Sequence, residues 1–271
     1  MDCEHPHHLD AALAALGDDP AATVLAGGTD VMVDLSFGQP HPVHVIALRR
    51  VVESAEWQEG RIGAGVTYRR LERGPPGALA QASRTVGSPQ IRNTGTIGGN
   101  VATASPAGDT LPVIAACDAA IEVASRDGGV RVVSWADFFT GVKQTSLRPG
   151  ELVTAIVFPD PMPAHHEFAK IGVRNAMVIS MVSACVTRSE DGTTRVALGS
   201  VAPTPLRATA AEEMISAETN PGESALTEFS RLVSAAVRPI TDHRGTESYR
   251  RHASGVLARR LLERCLRREP R

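Results

Sequence analysis

The sequence predicts an α+β protein made of a small β-α-β unit, a mixed α/β unit and a C-terminal unit of antiparallel sheet and helices. Two buried strand-like runs lie within about 25 residues of each other near the N-terminus, a spacing typical of a small parallel β-α-β unit. A proline-rich segment, residues 159–163, separates the first two units from the C-terminal one, where strand-like runs are followed by long helical runs. We therefore expect units at residues 1–55, 56–160 and 164–271.

The β-α-β unit begins with a helix, because Leu9, Leu13 and Leu16 recur at the spacing of one helix face. Glycine and proline in residues 17–20 end this helix. The elements expected next are a buried strand at 23–26, a helix opening at 32–35 and a buried strand at 43–48.

In residues 56–160 the sequence predicts short strands that alternate with helices. Residues 61–66 are expected to form a strand, and Thr67 has the residue type that caps a helix, here a short one through Leu71. Asp109 is placed to cap a further helix that ends near residue 117. The remaining elements expected are a helix at 79–86 and strands near Ile121, near Val130 and at 152–158.

The C-terminal unit combines a three-stranded sheet with helices. The strands are expected at residues 168–173, 178–187 and 195–201. The helices are expected at residues 208–217, 223–237 and 246–268. Arginines recur along the last helix as far as Arg268, which predicts a solvated face or, alternatively, a docking surface for a partner subunit.

Composition excludes several functional classes. The 271 residues are 42 % hydrophobic, enough for a substantial core, and their net charge of -2 argues against binding of nucleic acid. No apolar run approaches the roughly 18 residues of a membrane span. Because the acidic N-terminus also differs from a signal peptide, we expect a cytoplasmic protein.

The metal-binding residue types are scattered or terminal. The cysteines are Cys3, Cys117, Cys185 and Cys265. Their separation is unlike the clustered thiolates of iron–sulfur and structural zinc centres, so we expect no metal site. His5, His7 and His8 surround Pro6 at the N-terminus, where a solvated arm is expected rather than a metal clip.

Two glycine pairs are the most informative motifs. Gly27 and Gly28 lie in Leu-Ala-Gly-Gly-Thr-Asp, and Gly98 and Gly99 lie in Thr-Gly-Thr-Ile-Gly-Gly-Asn. Each pair alone is typical of a turn. Together, beside hydroxyl and amide side chains, they allow several backbone N–H groups to point at one anion. No lysine or arginine lies in residues 22–47, so a pyrophosphate held there would be bound by backbone amides, which predicts a dinucleotide site.

These motifs and their surroundings resemble the FAD-binding medium subunit of the molybdenum hydroxylases, the xanthine dehydrogenase and carbon monoxide dehydrogenase family. The resemblance extends nearly from end to end. It is carried by residues 25–31, by residues 91–109, by 151–153, by Lys170 and Arg174, and by the C-terminal pattern Asp-x-Arg-Gly-x-x-x-Tyr-Arg at 242–250. It implies a two-subdomain FAD-binding domain of the vanillyl-alcohol oxidase and p-cresol methylhydroxylase type, followed by a C-terminal flavoprotein domain.

The resemblance also implies which residues contact FAD. Those expected at the pyrophosphate are Ala26, Gly27, Gly28, Thr29, Asp30 and Val31, and Leu25 beside them is expected among the cofactor-binding residues. Those expected at the ribityl, phosphate and ribose parts are Thr96, Gly99, Asn100, Thr103 and Asp109. Val86, Gly87 and Ile91 are expected at the adenine half or the ring edge, and Val153 and Lys170 beside the isoalloxazine. Two alternatives remain open: Asp109 as a helix cap alone, and Lys170 as a side chain that extends from a strand edge to solvent.

The function that the resemblance implies is electron transfer. A molybdopterin-containing large subunit and a [2Fe–2S] small subunit are the expected partners in a hetero-oligomer, and NAD⁺ is a possible acceptor. The FAD is expected to be non-covalent, because Thr29 and Asp30 occupy the loop that carries an attachment histidine in covalent relatives. A second hypothesis is a stand-alone flavin oxidase or dehydrogenase, which would need a base such as His165, His166 or Asp160. A third is a scaffold that no longer binds FAD.

Overall fold

The computed structural model describes residues 2–74 and 77–267. Its first part is a three-stranded parallel sheet with β3 at the centre, flanked by β1 and β2. The elements are β1 (Asp2–Glu4), α1 (Leu9–Asp18), β2 (Thr23–Leu25), α2 (Val31–Ser36) and β3 (His44–Ala47). Helix α1 buries Leu13 and Leu16 in a core with Ile46, which confirms the helix and both expected strands.

The N-terminal residues include a strand that the sequence did not predict, while His5, His7 and His8 are exposed as expected. Asp2–Glu4 form β1, which pairs with β3 in parallel register, Cys3 opposite Val45. Three polar, exposed residues carry no strand signal of their own. Pairing with the buried strand β3 supplies the hydrogen bonds that hold them.

The second part is a five-stranded antiparallel sheet in the order β4-β5-β10-β6-β7, covered by short helices. Its strands are β4 (Trp57–Gln58), β5 (Arg61–Gly63), β6 (Ala120–Ser125), β7 (Gly129–Ser134) and β10 (Leu152–Val157). A separate hairpin is formed by β8 (Phe139–Gly141) and β9 (Gln144–Thr145). The helices are α3 (Tyr68–Leu71), α4 (Ala78–Thr85), α5 (Pro89–Thr94), α6 (Ile97–Thr103), α7 (Leu111–Ala116) and α8 (Trp135–Phe138).

Helix capping in this part agrees with the sequence at one position and differs at another. Thr67 caps α3, its side chain accepting the Arg70 N–H, as expected. Helix α7 has Thr110 at its N-cap, without a side-chain cap hydrogen bond, so the expected cap by Asp109 is wrong. The Asp109 carboxylate instead bonds Lys170 and Ser180, because a buried charge gains more from an ion pair than from a helix end.

The third part is a four-stranded antiparallel sheet, β11-β12-β13-β14, backed by three long helices. Its elements are β11 (His165–Ile171), β12 (Val182–Arg188), β13 (Thr194–Gly199), β14 (Leu206–Arg207), α9 (Thr209–Ser216), α10 (Glu223–Ala236) and α11 (Glu247–Leu266). The two-residue strand β14 adds a fourth strand to the three expected. Arg268, the end of the expected last helix, lies outside the described residues.

Strand β12 is buried on both faces, which places the third sheet between two cores. Ala184 and Val186 face the core of α10 and α11, while Cys185 faces the core that contains α7. Adjacent residues of a strand point to opposite faces, so β12 joins the C-terminal helices to the middle part. These elements confirm the α+β fold with a C-terminal antiparallel sheet and helices.

Candidate functional site

A cavity of about 640 Å³ lies where the parallel sheet meets the middle part of the chain. This volume is within the range of small-molecule and cofactor sites. Of the residues expected to contact a dinucleotide, those lining the cavity are Ala26, Gly27, Gly28, Thr29, Asp30, Val31, Thr96, Gly99, Asn100, Thr103 and Val153. Those that do not line it are Leu25, Val86, Gly87, Ile91, Asp109 and Lys170.

The first glycine pair lies just after the carboxyl end of β2, at the edge of the parallel sheet. Strands β2 and β3 end side by side, with Leu25 opposite Ala47, and the chain then enters the cavity wall. Gly28 has φ of 73°, the left-handed region that favours glycine. At Gly27 a Cβ would collide with the carbonyl oxygen of Thr94. Gly28 is therefore needed for its backbone conformation, and Gly27 is needed for a close approach between the two halves of the cavity.

Four consecutive backbone N–H groups at this edge are unpaired. The amides of Gly27, Gly28, Thr29 and Asp30 donate to no residue within the described ranges. Buried or half-buried backbone amides normally have partners, so a row of open donors indicates a bound acceptor. Successive N–H groups of this kind form an anion-binding concavity. The loop fits a pyrophosphate, as the sequence predicts, without a basic side chain between residues 22 and 47.

The second glycine pair begins α6 on the opposite wall. Thr96 caps the helix, its Oγ1 accepting the Gly99 N–H at 3.1 Å. A Cβ at Gly98 would collide with Ala64, whereas a Cβ at Gly99 would contact Thr96 Oγ1 alone, at 3.1 Å. Gly98 is thus a packing residue, and Gly99 leaves space on the cavity side.

A hydrogen bond between side chains joins the two walls. Thr103 Oγ1 donates to Asp30 Oδ2 at 3.0 Å, from α6 to the first glycine loop. Asn100 Oδ1 accepts from Thr110 Oγ1 at 2.5 Å, which ties α6 to the start of α7. The cavity wall is therefore held by contacts between segments that are distant in sequence.

Lys170, expected beside the flavin ring, and Asp109, expected at the ribityl, phosphate and ribose parts, lie together in a separate buried cluster. Lys170 Nζ donates to Asp109 Oδ2 at 2.5 Å and to the carbonyl oxygens of Thr85 at 2.9 Å and Val178 at 3.0 Å. Ser180 Oγ donates to Asp109 Oδ1 at 2.5 Å. Burial raises the pKa of the Asp109 carboxyl, while Lys170 and Ser180 act to lower it. Lys170 is thus a buried ion-pair partner and does not extend to solvent.

Val86 and Gly87 lie in the turn between α4 and α5, next to this cluster through Thr85, and Ile91 lies in α5. Arg92 Nη1 donates to the carbonyl oxygens of Val86 and Gly87, both at 3.1 Å. Gly87 has φ of 45°, and the side chain of Ile91 packs against it. The structure brings these three residues together but leaves them outside the cavity lining.

Several cavity residues were not expected from the sequence. Among them are Arg49, Ser54, Arg61, Tyr68 and Thr154. Tyr68 follows the helix-capping Thr67, and the capping signal explains that position without suggesting a ligand. Its one distinguishing mark in the sequence is that tyrosine occurs only twice in the chain.

The described residues show neither a metal centre nor a membrane span. No group of three or more histidine, cysteine or acidic side chains is arranged to hold a metal ion in the part of the chain that is described. Among the same residues, no helix is long and apolar enough to cross a bilayer.

Comparison with known proteins agrees with this geometry. Residues 1–161 match the family model of the FAD binding domain in molybdopterin dehydrogenase, and residues 167–265 match that of the CO dehydrogenase flavoprotein C-terminal domain. The chain is 32 % identical to the putative xanthine dehydrogenase FAD-binding subunit of Escherichia coli K12 over 270 residues, 93 % of this chain and 91 % of that protein.

A second relative and a solved structure give the same result. The chain is 33 % identical over 280 residues to the carbon monoxide dehydrogenase medium chain of Afipia carboxidovorans, covering 94 % of this chain and 92 % of that one. It superposes on a chain of the cyanide-inactivated Cu,Mo-CO dehydrogenase with a TM-score of 0.89 at 30 % identity, covering 98 % and 97 % of the two chains. Both matched models and these relatives together extend over almost all of the sequence, and the chain belongs to the family of FAD-binding subunits of the molybdopterin dehydrogenases.

Proposed function

We propose that the chain binds FAD in the cavity between the two glycine pairs and acts as the electron-transferring flavin subunit of a molybdenum hydroxylase. The observation that carries this is the row of four unpaired N–H groups at Gly27–Asp30, which fits the pyrophosphate of a dinucleotide. Thr96, Gly99, Asn100 and Thr103 on the opposite wall would contact the ribityl, phosphate and ribose parts.

Binding is proposed to be non-covalent. Covalent attachment in this fold commonly uses a histidine at the ring, and the cavity lining among the described residues contains no histidine. The loop residues Thr29 and Asp30 contribute short polar side chains instead. FAD held in this way would be released intact by denaturation.

The ring half is proposed to lie toward Val153 and the Lys170 cluster. Val153 lines the cavity, and the buried Lys170–Asp109 pair lies outside that lining. All three N–H donors of Lys170 already have acceptors. Lys170 would therefore affect a bound ring through the charge of its ammonium group, balanced by the Asp109 carboxylate, and not through a hydrogen bond. Val86, Gly87, Ile91 and Leu25 remain proposed contacts.

Bound FAD supplies the chemistry of accepting electrons singly and passing them on as a pair. The residues of this chain would bind the cofactor, exclude water from it and keep its phosphates fixed by backbone amides. We propose that a molybdopterin-containing large subunit and a [2Fe–2S] small subunit provide the electrons in a hetero-oligomer. The names of the matched family and of the relatives, as subunits of molybdopterin, xanthine and carbon monoxide dehydrogenases, support this. NAD⁺ is the proposed acceptor, and the cytoplasm the proposed location.

Direct oxidation of a small molecule by this chain has no support at the cavity. His165 and His166, the bases considered for it, are residues of β11 and do not line the cavity, and neither does Asp160. His166 Nδ1 accepts the backbone N–H of Ala78 at 3.0 Å, at the start of α4. His166 therefore has a structural contact rather than a position beside the cofactor site.

The experiment that tests the proposal is the absorbance spectrum of the purified chain, before and after acid precipitation. We expect a yellow protein that releases free FAD into the supernatant. Anaerobic addition of NADH should then bleach the flavin if NAD⁺ is the acceptor, and a flavin that stays oxidised would exclude NAD⁺ for the isolated chain. A colourless protein that does not take up added FAD would contradict the proposed function.

A further inference from the structure

We propose that the hydroxyl of Tyr68 donates a hydrogen bond to an oxygen of the ribityl–pyrophosphate chain of FAD. The inference rests on the proposed function, because FAD is the ligand concerned. It assigns a binding role to a side chain outside both glycine pairs.

Tyr68 is fixed in the cavity wall by its backbone and by its ring. It is the first residue of α3, and its N–H donates to the carbonyl oxygen of Gly95 at 3.0 Å. Its ring packs against Gly95, where a Cβ would lie 3.0 Å from Cε2. The residue is 4 % exposed, and it lines the cavity. Its position is therefore set before any ligand binds.

The phenol oxygen of Tyr68 has no hydrogen-bond partner among residues 2–74 and 77–267. A buried tyrosine hydroxyl normally has a partner, because removing it from water without one costs free energy. The Tyr68 oxygen keeps accessible surface at the cavity, so it is open to a ligand there rather than enclosed by the chain. A ligand that supplies an acceptor oxygen explains the arrangement.

The electrostatic surroundings make Tyr68 a neutral donor. Burial raises the pKa of the phenol far above its usual value, and the carboxylates of Asp109 and Asp30 raise it further. The phenol is therefore protonated at neutral pH. It can donate to an acceptor, and it adds no charge beside the two carboxylates.

The neighbours of Tyr68 indicate which part of FAD it would meet. Gly27, in the first glycine loop, approaches Thr94 so closely that a Cβ would collide with the Thr94 carbonyl. Tyr68 contacts Gly95, the next residue. Tyr68 is thus one short segment away from the four open N–H groups proposed to hold the pyrophosphate, and the charge of Asp30 in that row acts on its hydroxyl. Oxygens of the ribityl–pyrophosphate chain are the acceptors that lie nearest to such a position.

The test is the substitution Tyr68→Phe, which removes the hydroxyl and keeps the ring. We expect the Kd for FAD, measured by titration of the apoprotein, to rise about 3- to 10-fold, the loss of one hydrogen bond. The thermal midpoint of the apoprotein should stay nearly equal, since the hydroxyl has no partner among the described residues to lose. Tyr249→Phe is the matched control, because Tyr249 is the other tyrosine, is 45 % exposed and does not line the cavity.

The outcomes separate the inference from the proposed function. If the wild-type apoprotein binds no FAD, the proposed function fails and the inference fails with it. If the wild type binds FAD and Tyr68→Phe binds it with the same Kd, the inference alone is overturned. A lower thermal midpoint of the Tyr68→Phe apoprotein would also overturn it, because the hydroxyl would then have a structural partner.

Fragments of the cofactor test the placement. FMN carries the ribityl phosphate, ADP carries the pyrophosphate, and adenosine carries neither. We expect Tyr68→Phe to weaken the binding of FMN, of ADP or of both, with adenosine binding unchanged. Weakened binding of adenosine alone would contradict the position assigned to the hydroxyl.

Discussion

Lys170 and Asp109 form a buried ion pair, with Nζ 2.5 Å from Oδ2 and side chains that are 8 % and 7 % exposed. Lys170 lies on β11 of the C-terminal sheet, and Asp109 directly precedes Thr110, the N-cap of α7. The pair therefore connects two parts of the fold that are 61 positions apart in sequence. Ser180 and the carbonyl oxygens of Thr85 and Val178 complete its hydrogen bonds.

Removing one partner of this pair should strongly destabilise the protein. We expect Lys170→Met to lower the free energy of unfolding of the apoprotein by about 3–5 kcal/mol, because Asp109 would remain buried without its cation. Urea unfolding followed by circular dichroism measures this. The double variant Lys170→Met/Asp109→Asn is the control, since it removes both charges and should recover much of the loss. Equal destabilisation of the single and double variants would show that the charge is not the cause.

Gly98 and Gly99 are adjacent but should respond differently to alanine. Gly98→Ala places a Cβ against Ala64 Cβ and within 2.7 Å of its carbonyl oxygen, so we expect a loss of about 1–3 kcal/mol in unfolding free energy. Gly99→Ala meets Thr96 Oγ1 alone, at 3.1 Å, and should leave the apoprotein nearly as stable as the wild type.

The effect of Gly99→Ala should appear in FAD binding instead. Its methyl group would occupy the cavity wall where the cofactor is proposed to approach, and we expect the Kd for FAD to rise roughly tenfold. Titration of the apoprotein with FAD, next to urea unfolding of both variants, checks this. An unchanged Kd would place Gly99 away from the cofactor.

His44 should make stability depend on pH. Its ring contacts two carboxylates, with Nδ1 2.9 Å from Asp19 Oδ2 and Nε2 2.9 Å from Glu4 Oε1. The hydrogen bond with Asp19 raises the pKa of His44, and Glu4 raises it further against the opposing effect of partial burial. Folding therefore favours the protonated ring. This stabilisation is complete below about pH 6.5, the unfolded pKa, and is lost as the pH rises through the folded value.

The measurement is the urea midpoint between pH 6 and pH 9. We expect it to fall with rising pH in the wild type, and to fall less in His44→Gln, which cannot titrate. The exposed His252 offers a matched control, because His252→Gln should keep the wild-type slope. If His44→Gln keeps the full slope, other groups are responsible for it.

Arg250 should not be replaceable by lysine. Its Nη1 donates to the carbonyl oxygens of Met181 and Ser200, both at 2.9 Å, and its Nη2 donates to Asp242 at 2.6 Å. A lysine ammonium on a flexible stem does not reproduce this planar set of donors. We expect Arg250→Lys to cost about 2–3 kcal/mol of unfolding free energy. As a control, Arg231→Lys, at an exposed ion pair with Glu228, should change the unfolding free energy by less than about 0.5 kcal/mol. Similar losses for both variants would contradict the structural role of Arg250.

The sequence correctly predicted the elements whose signals are local. Leucines at helical spacing predicted α1, and buried apolar runs predicted β2 and β3. The capping role of Thr67 was also predictable, because a cap involves residues three positions apart. The family pattern at 242–250 was visible as well, but only the structure shows that Arg250 on α11 donates to Asp242 and to the carbonyl oxygen of Met181, the residue before β12.

The elements and roles that the sequence did not predict depend on distant segments. Strand β1 has no signal of its own and exists through its pairing with β3. Asp109 has the residue type of a helix cap, yet its carboxylate is directed to Lys170. In both cases a contact across the fold outweighs the local preference, because a buried polar group must be paired wherever its partner lies.

By itself the sequence determined the fold class, the two glycine pairs and the family, since these follow from periodicity, residue type and short spacing. Only the tertiary structure decided that Gly27 approaches Thr94, that four amides remain unpaired, and that the Tyr68 hydroxyl lies in the cavity wall. Whether a polar group is satisfied depends on every segment that folding brings to it. A ligand site made of unpaired donors is therefore a property of the packed chain rather than of any one stretch of residues.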